Sequence, residues 1–186
     1  MNRSVLVVTV VMFLVLLTSS VGLTAQSSRP TQGRSVGKEL EVWVAKIEEQ
    51  VIPTADAMPE EKYGFVPTAG NFEGTRSFAE QVKHLAATNY ILGSAVLGEK
   101  PPHGEHDEKA PDSLKSKAEI MVYLKGSFTL LHRAAAAINN ENEAAIIKFD
   151  RTRPGLIVDA LIHCDDHYGQ LVEYLRMNGI VPPASK

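Results

Sequence analysis

The chain has 186 residues, 44% of them hydrophobic and 22% charged, the size and composition of one globular domain with a core of its own. The formal net charge is −3 and no stretch gathers lysine and arginine on one face, so the basic footprint that nucleic-acid binding requires is missing. One cysteine, Cys164, leaves no internal disulfide to form, and the fold must hold by packing, or by packing plus metal.

The N-terminus reads as an export signal. Arg3 gives a short positive start, residues 5–17 are almost unbroken apolar, and small and polar residues follow to Gln26. Gly22 or Ala25 is placed to end a cleavable signal over residues 1–25. The rival is an uncleaved membrane anchor, because no charge falls between Arg3 and Arg29. Either way the domain is expected outside the cytoplasm, periplasmic or extracellular. Residues 26–37 are polar and contain glycine, a flexible lead-in.

From residue 38 the pattern is helical. Leu40, Val44, Ile47 and Val51 recur at steps of four, three and four, and Pro53 is expected to close this first helix. Residues 54–74 hold two prolines and three glycines and read as a long loop. A second helix opens near Ser77, with Glu80 three residues on as in a capping box, and buries Phe78, Val82, Leu85, Leu92 and Val96. The charged, proline-bearing residues 98–112 read as the most exposed connection of the chain. A third helix is expected from Ser113 to about Asn139, then a short helical piece around residues 144–147. Pro154 suits the first turn of the last helix, which reaches Asn178 and stops at Gly179. The fold class is therefore all-α, a four-helix bundle over residues 38–183.

His163 and His167 lie four apart on the last helix, so both imidazoles share one face at the spacing that chelates one ion. They continue the inward stripe of Leu156, Ala160, Leu171 and Tyr174. Two imidazoles facing a core need hydrogen-bond partners or a shared cation, and spacing alone leaves both open. The metalloprotease pattern is excluded, since Cys164 stands where that motif needs a glutamate. A third ligand must come from another helix, and His84, beside the stripe of Val82 and Leu85, is the candidate. His103 and His106, with Glu105 and Asp107, sit in a proline-rich loop without a scaffold and read as solvated. His132 stands alone on the third helix. Asp159, four residues before His163, is within reach of its other ring nitrogen; Asp159 and Asp166 otherwise read as a solvated face. Tyr174 has core spacing, and Cys164 points about 100 degrees away from His163, as a buried structural thiol would.

Four segments are similar to one family. Residues 76–85 (RSFAEQVKHL) and 163–171 (HCDDHYGQL, running on to Tyr174, Leu175 and Arg176) resemble the second- and last-helix signatures of the DinB family. Residues 57–63 (AMPEEKY) resemble its loop after the first helix, and residues 178–183 (NGIVPP) its ending. The resemblance implies an antiparallel four-helix bundle, often a homodimer, with one divalent metal held by His84, His163 and His167. It gives Gln170 an orienting or packing role. Three protein ligands leave an open coordination position, as catalytic sites do. All-imidazole ligation suits zinc, nickel, iron or copper better than magnesium or calcium, so one divalent transition metal (zinc, nickel or iron) is the expected cofactor. The expected function is a metal-dependent hydrolase or thiol-using transferase acting on a small molecule, with a non-enzymatic bundle whose metal is structural as the alternative.

Overall fold

The computed structural model describes residues 33–71, 73–102 and 108–185. The expected export signal over residues 1–25, most of the expected lead-in and the loop histidines His103 and His106 fall outside the described residues.

Ser35 starts the first helix, α1 (Val36–Ala57), by accepting from the Lys38 backbone amide at 3.3 Å. Pro53 does not close it. The helix runs one further turn because Thr54, Ala55 and Met58 are buried. In the turn that the proline interrupts, the Thr54 hydroxyl donates to the Gln50 carbonyl at 2.7 Å. The segment expected as a long loop thus gives its first four residues to α1 and a 3-10 turn to Glu60–Lys62. The second helix, α2 (Phe78–Leu97), has both arms of the expected box between Ser77 and Glu80, and it ends on Gly98 at φ +70°.

The third helix, α3 (Lys117–Ala136), is shorter than expected. Its cap is Ser116 rather than Ser113, because Ser116 has Glu119 three residues on to complete a second capping box. The helical piece expected at residues 144–147 is instead a strand, β1 (Ile146–Lys148), paired antiparallel with β2 (Arg151–Thr152). Phe149 and Asp150 join them at φ +52° and +55°, the left-handed pair of a tight hairpin turn. The last helix, α4 (Arg153–Met177), has Pro154 in its first turn, and Gly179 at φ +73° follows its cap residue Asn178.

α1 packs against α3 and α4, and α2 packs against the same two, while α1–α2 and α3–α4 are the diagonals of the bundle. Contacts give the directions. Glu48 meets His132 and Asp56 meets Lys117, so α1 and α3 are antiparallel. Gln81 meets Gln170 and the Val96 carbonyl meets Arg153, so α2 and α4 are antiparallel too. The other adjacent pairs run parallel: Asn89 bonds Ser127 while Glu99, just past the end of α2, pairs with Arg133, further along α3. The order of directions is up, down, down, up. A parallel pair needs a connection as long as the bundle. α2 has 20 residues and so spans about 30 Å, and residues 98–116 make that return. Within this connection Ala110 is buried and held at φ +64°.

The core is a continuous cluster with Phe78, Leu85, Phe128, Leu131, Leu156 and Leu171 at its centre. Tyr63 closes one end, its hydroxyl donating to the Ala55 carbonyl at 2.7 Å and its ring edge-on to Phe78. At the other end α1 meets α3 so closely that a Cβ on Gly37 would stand 2.6 Å from the Ala135 carbonyl oxygen.

Candidate metal centre

The antiparallel contact of α2 with α4 brings His84 opposite His163 and His167. The inward spacing of each histidine on its own helix requires this once the two faces meet. His84 and His167 are buried and His163 is half-buried. The His163 Nε2 lies 3.1 Å from the Nε2 of His84 and 3.1 Å from that of His167, and the three nitrogens fall within 4.8 Å of one another.

Proton bookkeeping shows what this crowding means. The Nδ1–H of His84 donates to the Glu108 backbone carbonyl at 2.9 Å, which leaves its Nε2 as a bare lone pair when the ring is neutral. One Nε2 proton on His163 cannot make a good hydrogen bond in both directions, so neutral rings leave lone pairs facing each other. Extra protons are no remedy. Burial, with the neighbouring imidazoles and Arg76 adding to it, pushes the pKa of His163 down to about 3. Burial and His84 push that of His167 down to about 4, against a smaller opposing pull from Asp166. A cation that accepts three lone pairs resolves the conflict. Tetrahedral ligands at about 2.0–2.1 Å from one ion stand about 3.3 Å apart, close to the separations seen. The three-imidazole donor set therefore fits a transition metal, with two of its three separations already near that value.

The surroundings carry the same sign. Among the described residues, five buried side-chain polar atoms lack a hydrogen-bond partner, and four of them belong to Gln81, Thr88, His163 and His167. All four lie in the histidine layer or within about a turn of it. Gln81 Nε2 donates to Gln170 Oε1 at 2.7 Å, and Gln170 donates on to Asp166 at 2.9 Å, so Gln170 ties α2 to α4 one turn beyond the histidines. Beside them opens a polar cleft of about 530 Å³ whose wall includes His84, Arg76 and Lys83.

Several sequence expectations fare differently. Asp159 does not reach His163: it pairs with Arg151 at 3.2 Å on the outer face, leaving His163 Nδ1 with no partner among the described residues. Tyr174 is core, its hydroxyl donating to the Arg76 carbonyl at 2.9 Å. Cys164 is buried, donates to Asn89 and has its pKa pushed up by burial to about 12, which suits a structural thiol. His132 is not isolated, since it meets Glu48 at 2.9 Å across the α1–α3 contact. Sequence reading gave no role to Glu108 or Gln81. A backbone carbonyl leaves no trace in composition, but Gln81, a polar residue at core spacing three before His84, carried a signal.

The family model of the DinB superfamily matches residues 46–171, well over half of the chain and all three histidines. The chain belongs to the DinB superfamily. No curated protein matches it. The matched span runs from within α1 to within α4 and so takes in the whole histidine layer, and the connection between α2 and α3 carries the Glu108 carbonyl that His84 meets.

Proposed function

We propose that this chain is an exported metal-dependent enzyme, a hydrolase or transferase of a small molecule, with one divalent transition metal on His84, His163 and His167. The observation that carries the reading is the convergence of three imidazole Nε2 atoms in a buried layer with no proton arrangement that satisfies them. The ion supplies Lewis acidity, which acidifies a water or thiol or polarises a carbonyl. The chain's own groups position it. Glu108 fixes the tautomer of His84, Gln170 locks α2 to α4, and burial keeps His163 and His167 neutral and so able to ligate. Hydrolysis is the version we favour, because low-molecular-weight thiols are scarce outside the cytoplasm.

The second reading is a non-enzymatic bundle with a structural ion. The polar cleft beside His84 and the unmatched atoms of Gln81 and Thr88 favour an enzyme, since a structural site is closed over. Exposed Trp43 and Ile162, flanked by Lys46 and Asp165 on the α1–α4 face, offer a surface for the expected homodimer. Elemental analysis of the purified protein and of a His163→Ala/His167→Ala variant tests the metal. About one zinc, nickel or iron per chain in the wild type and none in the variant supports it. A wild type that cannot be loaded with any of the three sinks it. Export is checked by N-terminal sequencing of the secreted form.

A further inference from the structure

The cleft beside His84 has a charge pattern that the metal reading does not use. Its wall is formed by the backbone ahead of α2 (Gly74, Thr75), by Arg76 and Lys83, and by Lys109 with Asp112 from the returning connection. Glu80 also lines it, but its carboxylate is committed to the capping box, accepting from the Ser77 amide at 2.8 Å and the Ser77 hydroxyl at 2.9 Å. Neither Arg76 nor Lys83 enters an ion pair with any described carboxylate. The N-terminal end of α2 adds its positive partial charge to the same space. Arg76 and Lys83 thus stand beside the histidine layer without an ion pair among the described residues, in a cleft where the Glu80 carboxylate lies within electrostatic reach of both.

We propose that this cleft binds the anionic group, carboxylate or phosphate, of the small molecule whose reacting end lies at the histidines, with Arg76 and Lys83 as its anchors. The inference rests on the functional reading above and names the substrate class of that same site. Arg76 has the planar fork that meets two oxygens of either group, and Lys83 supplies a second positive charge from the next turn of α2. His84 is the shared wall, so a bound anion and a metal-held reacting group belong to one molecule.

The test is a set of NMR titrations of the zinc-free and the zinc-loaded protein with succinate, inorganic phosphate and the neutral isostere succinamide. Succinate or phosphate should saturate with shifts at the amides of Gly74, Thr75, His84 and Lys109, and the tighter of the two names the group. Succinamide should not saturate. An Arg76→Gln/Lys83→Gln variant should bind at least tenfold more weakly, and added sodium chloride should weaken binding to the wild type. Lys46→Gln, on the α1–α4 face, should bind as the wild type does. Succinamide binding equal to succinate, shifts elsewhere on the surface, or a folded double variant with wild-type affinity would overturn the proposal. Should the double variant fail to fold, the shift map and the salt dependence of the wild type still decide. Zinc uptake without anion binding removes this inference and leaves the metal site standing. Anion binding without zinc uptake removes the metal site instead.

Discussion

Two polar layers cross the α2–α4 contact, and they are opposites. In one, the Cys164 thiol donates to Asn89 Oδ1 at 3.2 Å, Asn89 Nδ2 donates to Ser127 Oγ at 3.3 Å, and Ser127 donates to the Leu124 carbonyl at 2.7 Å. Every member has a partner, and the chain of bonds ties α4 through α2 to α3. In the other, less than two turns along α2, three imidazoles crowd together and the Nδ1 atoms of His163 and His167 have no partner among the described residues. A polar layer that satisfies itself serves the fold. One that cannot do so stays in a core only where something else completes it.

The largest expected effect breaks the unsatisfied layer. His163→Ala removes the imidazole whose Nε2 lies 3.1 Å from the Nε2 of each of the others. Loss of an outer partner of a metal ligand costs about 10–100-fold in affinity, and loss of a ligand should exceed that, so zinc affinity should fall more than about 100-fold. Competition with a chelating dye measures it, and an unchanged affinity would show that the three histidines are only core. Asn89→Leu attacks the satisfied layer. It strands the Cys164 thiol and takes one donor from Ser127, whose hydroxyl keeps its bond to the Leu124 carbonyl, and should cost about 1–3 kcal/mol in urea unfolding with zinc affinity little changed. Equal loss of metal in this variant would mean that the two layers are one cooperative unit and the contrast between them is false.

The two layers also differ in how readily the sequence reveals them. Hydrophobic spacing placed the four helices and brought His163 and His167 to an inward face, and the Ser77–Glu80 box located the start of α2. The third histidine followed because helix faces, once periodic, must meet. Three things were hidden. Pro53 reads as a stop, yet burial of Thr54, Ala55 and Met58 outweighs its local cost. The hairpin after α3 turns on Phe149 and Asp150, which lack the glycine that marks such turns. The parallel pairing of α2 with α3 is set by the path of residues 98–116, and nothing in a proline-bearing charged stretch says that it returns along the bundle. Glu108 was invisible for the same reason, because its contribution is a backbone carbonyl placed by that path.

Acidity sharpens the comparison in the metal-free protein. Burial holds His163 and His167 well below the ordinary histidine value, to about 3 and about 4. The unfolded chain takes up protons on both near pH 6.5 while the folded chain refuses them. Their contribution to stability is therefore whole above about pH 6.5 and is lost as the pH falls from there toward 4. Urea midpoints should drop between pH 7.5 and pH 5, and a His163→Gln/His167→Gln variant should show a flatter profile. An equally steep profile in the variant would place the acid sensitivity elsewhere.

The smallest effect is expected at Glu108, and its smallness is informative. Its carboxylate is 3.9 Å from His84 Nδ1 with a side chain 61% exposed, whereas its backbone carbonyl makes the 2.9 Å contact. At 3.9 Å the carboxylate makes no hydrogen bond to the ring, and the carbonyl survives any ordinary substitution. Glu108→Ala should therefore change zinc affinity by less than about fivefold, while Glu108→Pro, which restrains the backbone at that carbonyl, should lower it further. A large loss in the alanine variant would assign the orientation of His84 to the carboxylate. It would also make the return of residues 98–116 a matter of charge rather than of chain path.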